Sequence, residues 1–140
     1  MISIQKGEDL LSIFIYNVLS YRKNDQDFVN LVLDWNKKIL INFEDFYCIE
    51  LIFEGNGIKY KVNDLDKNVD LKVSLNIYTV LDLAYGRLHP VKAFIQRKLK
   101  IKGIYKIGTI LRFIKILLKS MQMVALDPND NYFKLNKDTK

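Results

Sequence analysis

The sequence has 140 residues, of which 49% are hydrophobic and 27% are charged, and its formal net charge is +6. This length fits one domain, and the composition excludes a disordered chain. Cys48 is the only cysteine, so an intrachain disulfide is excluded, and we expect neither a metal site nor a cofactor. No apolar run reaches the ~18 residues of a membrane span, and the N-terminus lacks the features of a secretory signal. We therefore expect a soluble, cytoplasmic protein.

The positive charge is concentrated between Leu83 and Leu126, a segment with ten Lys or Arg residues and no Asp or Glu. Such asymmetry favours an anionic partner, either a membrane surface or nucleic acid. A solvated face with lysines near a helix C-terminus would give the same pattern. The candidate membrane or head-group contacts are Lys102, Lys106, Arg112, Lys115 and Lys119.

Two helices are predicted near the start of the chain. The acidic pair Glu8-Asp9 precedes apolar residues at helical spacing, which predicts a first helix that ends between Tyr21 and Asn24. Asp25 is a plausible N-cap of a second helix, which continues to Asn36.

Five segments alternate apolar and polar residues with the period of a β-strand. The tight-turn sequence Gly55-Asn56-Gly57 joins the second and third segments into a hairpin. Because each segment has one predominantly apolar face, we expect an α+β fold with a five-stranded mixed or antiparallel sheet, covered by helices on one face and wet on the other. The predicted strands cover residues 38–43, 47–54, 58–62, 71–76 and 98–102.

Three further helices are predicted around the fifth strand. Two are short: residues 78–85, which Gly86 stops, and residues 91–96, which Pro90 starts. The third is long and extends from Ile104 to Met121. Its apolar arc covers roughly half of its circumference, more than one packing contact requires. This helix therefore either packs on two neighbours or forms the wall of an apolar cavity.

One stretch of the chain carries a recognisable motif. Gly86-Arg87-Leu88-His89-Pro90, followed by residues 93–103 (Ala-Phe-Ile-Gln-Arg-Lys-Leu-Lys-Ile-Lys-Gly), resembles the signature of the sterol carrier protein type two family. In that family the pattern is Gly-x-x-x-Pro, then Ala-Phe-x-x-Gly-Lys-Leu-x-Ile-x-Gly. The resemblance covers about residues 25–121. Arg97 stands where the family has glycine, and a positive φ there would strain an arginine.

The resemblance implies a five-stranded sheet with helices over one face, enclosing an apolar tunnel for a sterol, a fatty acyl chain or an isoprenoid. It implies a non-catalytic carrier or presenting module. We expect one lipid-binding domain over residues 1–126 and a polar tail over residues 127–140. The candidate ligand-binding residues are Leu51, Phe53, Leu71, Val73, Leu75, Val80, Leu83, Phe94, Leu99, Ile101, Ile107, Ile110, Leu111, Ile114 and Leu118.

No catalytic constellation is evident. His89, the only histidine, precedes a proline, which is typical of a polar turn residue, and no nucleophile accompanies it. Two alternatives to the carrier stay open: a basic nucleic-acid-binding module, and an accessory subunit that presents a lipid substrate to a partner enzyme. The first is disfavoured because Tyr105 is the only aromatic residue near Lys100, Lys102 and Lys106, whereas nucleic-acid binding on a sheet uses several stacking aromatics. The oligomeric state is not constrained.

Overall fold

The computed structural model describes residues 2–63, 65, 68–103 and 106–126. The predicted tail over residues 127–140, the predicted start of the long helix at Ile104, and Tyr105 lie outside these described residues.

The described chain forms one sheet of six strands, in the order β1-β4-β3-β2-β5-β6. The β1–β4 and β2–β5 pairs are parallel and the others are antiparallel, so the predicted mixed sheet is confirmed. The additional strand is β1, whose two residues are too few to show alternation. The strands are β1 (Ser3–Ile4), β2 (Lys37–Phe43), β3 (Cys48–Glu54), β4 (Gly57–Lys61), β5 (Leu71–Leu75) and β6 (Lys100–Lys102).

Helices cover one face of the sheet, and the first two begin at residues whose side chains cap them. Asp9 and Asp25 cap the first two helices by accepting backbone N–H bonds, as the sequence predicts for Asp25. The second helix ends four residues before the predicted Asn36. The helices are α1 (Leu10–Ser20), α2 (Gln26–Val32), α3 (Ile77–Ala84), α4 (Pro90–Ile95), α5 (Ile107–Phe113) and α6 (Lys119–Leu126).

A π-helical turn, Ile114–Leu118, joins α5 to α6, so that the three form one continuous C-terminal helix. The turn is closed by a hydrogen bond from the Lys119 N–H to the carbonyl of Ile114. The α6 part packs against α1 and α3, and the π turn packs against α2. The C-terminal helix therefore lies across all three of these helices.

The core fills the space between the sheet and the helices. Under β3 and β4 it is closely packed: the ring of Phe53 lies 4.9 Å from that of Trp35 and 6.4 Å from that of Phe113. The guanidinium of Arg112 lies 5.3 Å from the Trp35 ring, a favourable cation–π distance. The aromatic cluster fills this half of the core and leaves the half under β2, β5 and β6 for the cavity described below.

Candidate functional site

A cavity of about 80 Å³ lies between the sheet and the C-terminal helix. Its wall is made of apolar residues from three strands, the helices α1, α3 and α4, the C-terminal helix, and Leu99 just before β6. A close-packed core has few voids larger than a water molecule, so an apolar space of this volume is a distinctive feature. The lining residues are Phe14, Ile15, Ile41, Phe43, Leu71, Val73, Leu75, Val80, Leu83, Pro90, Leu99, Ile101, Ile110, Phe113, Ile114, Leu117, Leu118 and Met121.

The floor of the cavity is built by strand alternation. Ile41 on β2 pairs with Val73 on β5, and Val73 pairs with Ile101 on β6. Paired residues point to the same face of a sheet, so these three side chains form a continuous apolar row beneath the cavity.

The roof is the C-terminal helix, which contributes six residues of the wall. Ile116 is also fully buried, although the helical arc predicts it among the residues outside the apolar face. The π turn that contains it packs against α2. Both interpretations of the broad apolar arc are therefore realised, because the helix packs on neighbouring helices and also walls the cavity.

A buried arginine holds the π turn in place. Arg22 is 2% exposed, and its Nη1 donates to the carbonyl oxygen of Lys115 at 2.9 Å and to Ser120 Oγ at 3.3 Å. Its Nε donates to Asp25 Oδ2 at 3.0 Å, and this hydrogen bond lowers the pKa of Asp25. A π turn disrupts the regular i to i+4 hydrogen bonding of a helix. Arg22 thus binds backbone at the point where the roof helix departs from α-helical geometry.

Most of the predicted lining residues lie in the wall. Leu51 and Phe53 are instead buried on β3, which β2 separates from the cavity. The aromatic cluster fills the core beneath β3. Phe94, Ile107 and Leu111 are exposed by 37, 55 and 52% and lie outside the wall. The predicted residues that line the cavity are Leu71, Val73, Leu75, Val80, Leu83, Leu99, Ile101, Ile110, Ile114 and Leu118.

Several lining residues are absent from the sequence-based set. Ile41 and Phe43 belong to the apolar face of β2, and their position beside β5 depends on a parallel pairing that alternation does not reveal. Phe113, Leu117 and Met121 belong to the broad apolar arc of the roof helix and could have been included on that basis. The others are Phe14, Ile15 and Pro90.

Exposed apolar residues lie next to two of the half-buried members of the wall. Pro90 and Ile114 are half-buried members of the wall. Next to Pro90 on α4, Val91 and Ile95 are exposed by 60 and 72%, and Phe94 is also exposed. Ile107 and Leu111 lie on the same stripe of the C-terminal helix as Ile114, because they precede it by two turns and one turn. We call these five exposed residues (Val91, Phe94, Ile95, Ile107 and Leu111) the rim.

The candidate head-group residues do not form one patch. Lys102 alternates with Ile101, whose side chain lines the cavity, and so points to the opposite face of the sheet. Lys106 lies 3.8 Å from Asp70. Arg112 donates to the carbonyl of Leu31 at 2.8 Å, at the end of α2. Lys115 and Lys119 are exposed on the C-terminal helix.

His89 has a structural role at the start of α4. Its Nδ1 accepts a hydrogen bond from the Val91 N–H at 3.1 Å, so the side chain serves as the N-cap. Among the described residues, no three His, Cys, Asp or Glu side chains are grouped so as to hold a metal ion. No helix in the described part of the chain is both long and apolar enough to cross a bilayer.

Similar folds occur among solved structures. The chain superposes on a protein described as "UbiJ-SCP2 Ubiquinone synthesis protein" with a TM-score of 0.59 at 13% identity, covering 82% of this chain and 88% of that one. For sterol carrier protein domain 2 of Helicoverpa armigera the TM-score is 0.57 at 21% identity, and the coverage is 85% and 94%. At these identities the similarity shows the fold.

The chain also matches the sec-alkylsulfatase Pisa1 from Pseudomonas sp., with a TM-score of 0.55 at 21% identity. This match covers 64% of the chain but only 14% of the length of the alkylsulfatase. The similarity is therefore confined to a small part of that enzyme.

A comparison with curated proteins finds no match. The sequence itself, however, matches a protein family over residues 17–118. That range includes the strands and helices that build the cavity floor and most of its roof, and it contains the Gly86 to Gly103 motif. The chain belongs to the SCP-2 sterol transfer family.

Proposed function

We propose that the protein is a non-catalytic carrier that holds the hydrocarbon chain of a sterol, a fatty acid or an isoprenoid in the cavity. Family membership supports lipid binding and transfer. The observation that carries the finer proposal is that every residue of the wall is apolar. Such a wall offers neither a nucleophile nor an acid–base pair, and it favours a ligand that is itself apolar.

The energetics of burial are adequate for this role. Burying a dozen methylene groups yields about 10 kcal/mol at ~0.8 kcal/mol each, before the cost of ordering the ligand. The volume of about 80 Å³ is below the roughly 300–1,000 Å³ of sites that enclose a whole small ligand. Uptake of a complete chain therefore requires the wall to move outward, and the C-terminal helix supplies more of the helical part of the wall than α1, α3 or α4 does.

The ligand is taken up at a membrane surface through the rim. The five rim residues are exposed apolar side chains next to half-buried members of the wall, and exposed apolar side chains of this kind suit the acyl boundary of a bilayer. Lys92, Arg97 and Lys98 on and after α4 are exposed and supply positive charge for anionic head groups. Lys115 and Lys119 are further candidates, whereas Arg112 is engaged with the end of α2.

Lipid uptake tests the carrier proposal. Purified protein is examined by native mass spectrometry before and after organic extraction, and the extracted protein is titrated with a fluorescent fatty acid. We expect saturable uptake that Val73→Phe, which fills the cavity, reduces at least tenfold. Leu51→Met is the matched control, because Leu51 is buried outside the wall. The proposal fails if no lipid co-purifies and no fatty acid is taken up, or if both variants behave alike.

Transfer to vesicles tests the role of the rim. The double variant Val91→Glu with Ile95→Glu should slow transfer of the fluorescent fatty acid to vesicles that contain phosphatidylserine, while uptake in solution is unchanged. Leu33→Glu is the control, since Leu33 is an exposed apolar residue (42%) at the end of α2. Equal transfer by the double variant and the control would contradict uptake through the rim.

A further inference from the structure

Phe113 on the C-terminal helix belongs to two parts of the core at once. Its side chain lines the cavity, and its ring also lies 6.4 Å from the ring of Phe53, at an interplanar angle of 82°. Phe53 is buried and lies outside the wall. Phe113 therefore lies where the cavity ends and the closely packed aromatic half of the core begins.

Strand register places this boundary far from α4. Phe53 pairs with Lys37 at the start of β2. On the other side of the cavity, Lys100 follows the wall residue Leu99 and pairs with Ser74 near the end of β5. Because β2 and β5 are parallel, these two pairs lie at opposite ends of the sheet. Three strand spacings, or about 14 Å, also separate β3 from β6. The aromatic boundary and Leu99 are thus at diagonally opposite corners of the cavity.

Several contacts hold the corner at Phe113 in place. The rings of Phe53 and Trp35 lie 4.9 Å apart, and both residues are buried. The residue before Phe113 is Arg112, which donates to the carbonyl oxygen of Leu31 at 2.8 Å and lies 5.3 Å from the Trp35 ring. Aromatic pairs and cation–π contacts add to the stabilisation that burial provides. A ligand that reaches this corner therefore meets a firmly held surface.

The composition of the wall determines which end of a fatty acid enters first. Every residue of the wall is apolar, and burial of an unpaired carboxylate is costly. The methyl end therefore enters the cavity and the carboxylate stays at the surface. Arg97 and Lys98, which are exposed and immediately precede the wall residue Leu99, supply positive charge for the carboxylate at the α4 corner.

We infer, on the basis of the proposed carrier function, that Phe113 limits the length of the acyl chain that the protein holds. The chain enters beside α4, crosses the cavity floor diagonally over β6, β5 and β2, and stops with its methyl group against the Phe113 ring. Methylene groups beyond this limit stay outside the cavity, in contact with water. The preferred ligand is therefore a straight chain of defined length.

A series of straight-chain fatty acids provides the test. The even-numbered acids from hexanoic to stearic acid are titrated into the lipid-extracted full chain by isothermal calorimetry. With the unmodified protein, affinity should rise about fourfold per added methylene and then level off at one chain length, the limit. The first acid beyond that limit should bind about tenfold more tightly to Phe113→Leu than to the unmodified protein, because two more methylene groups are buried.

Ile101→Val is the matched control, because it shortens a wall residue on β6, at the side of the cavity away from Phe113. It should change affinity by a similar factor at every chain length and leave the limit where it is. The inference is overturned if affinity never levels off, if the limit does not move in Phe113→Leu, or if it moves equally in Ile101→Val. No uptake of any acid by the unmodified protein would overturn the carrier proposal itself, and the length limit with it.

A measurement on the unmodified protein does not depend on how the variants fold. A fatty acid at the limit is labelled with ¹³C in its terminal methyl group, and NOEs from this group to the protein are recorded. We expect NOEs to the ring protons of Phe113 and none to Leu99. Contacts with Leu99 in place of Phe113 would show that the methyl end lies at the α4 corner, and the inference would then be wrong.

Discussion

Arg22 Nη1 donates a hydrogen bond of 2.9 Å to the carbonyl oxygen of Lys115, inside the π turn of the C-terminal helix. The guanidinium also contacts Asp25 at 3.0 Å and lies 5.3 Å from the Phe28 ring. One buried side chain thus joins the end of α1 and the start of α2 to the roof of the cavity.

Replacing this arginine should be costly. Arg22→Met keeps the length of the side chain but leaves the Lys115 carbonyl and the Asp25 carboxylate without their partner, so we expect a loss of about 3–5 kcal/mol in the free energy of unfolding. Urea denaturation measures this loss in the free energy of unfolding. Lys23→Met removes an exposed charge one residue away and should change stability by less than about 0.5 kcal/mol. A loss below 1 kcal/mol in Arg22→Met would refute the role assigned to Arg22.

Arg97 should be replaceable by glycine with a gain in stability. It has φ +61° at the position that follows the C-cap of α4, and the N–H groups of Arg97 and Lys98 bond to the carbonyls of Phe94 and Ala93. This is the Schellman arrangement, in which glycine is normal at that position. We expect Arg97→Gly to stabilise the protein by about 1 kcal/mol, as measured by thermal unfolding.

The end of α3 supplies the converse experiment. Gly86 has φ +74° in the same arrangement, and a Cβ atom there would meet nothing within 4 Å, so Gly86→Ala should cost about 1 kcal/mol from conformation alone. Arg97→Ala separates charge from conformation, because it keeps the strained φ. Stabilisation by Arg97→Ala equal to that by Arg97→Gly would show that the charge, and not the backbone, is responsible.

Filling the cavity should raise the free energy of unfolding and reduce ligand binding. Filling a cavity of about 80 Å³ completely would stabilise the fold by at most about 2 kcal/mol at ~24 cal/mol per Å³. Val73→Phe should recover part of this, up to about 2 kcal/mol, while fatty acid uptake falls. Chemical denaturation of lipid-free protein measures the gain. If Val73→Phe destabilises the protein, the void is too small or too rigid to accept the ring.

Tyr47 and Asp9 make stability depend on pH. The Tyr47 hydroxyl donates to the Asp9 carboxylate and accepts from the Leu11 N–H at 2.9 Å. Burial raises the pKa of Asp9, but hydrogen bonds donated by Ser12 and Tyr47 outweigh it and hold the pKa below the ordinary 3.8. The stabilisation is therefore present above about pH 4 and is lost as the pH falls through the depressed pKa of the folded state.

The variant Tyr47→Phe should thus lose about 1 kcal/mol at neutral pH. The difference from the unmodified protein should shrink below pH 4, without vanishing, because the Leu11 N–H lacks its acceptor at every pH. Tyr78→Phe, at a tyrosine that is 74% exposed, is the control and should show no difference. A pH-independent loss in Tyr47→Phe would contradict coupling to Asp9.

Local patterns in the sequence predict the elements but not which elements are neighbours. Alternation identifies the apolar faces of β2, β3 and β5 equally well, so Phe53 and Val73 are equivalent candidates for the cavity wall. The sheet order separates them, since β5 adjoins β2 on the side opposite β3. That order depends on a parallel pairing between segments far apart in the chain, and a single sequence holds no local signal for it.

The burial of Ile116 lies beyond a regular pattern. The helical arc assumes 100° per residue, and the π turn breaks that assumption at Ile116, whose burial the sequence does not predict. The motif, by contrast, marks Arg97 as the position where an arginine at positive φ would be strained, and where the local backbone could differ from that of the family. The family has glycine there, and the chain keeps the glycine-like φ although the residue has changed.

The parallel pairing of β2 with β5 also bears on the order of folding. Short turns join β2, β3 and β4, and these strands pair with their neighbours in sequence. The cavity side is built by elements that come later in the sequence, namely β5, β6 and the C-terminal helix. Contacts between residues close in sequence form fastest during folding. In the folded protein, regions with weaker packing open locally and exchange their amide hydrogens sooner. We therefore expect slow hydrogen exchange in the β2–β4 meander and faster exchange in β6 and α5. The cavity side can then open to admit a ligand while the meander stays folded.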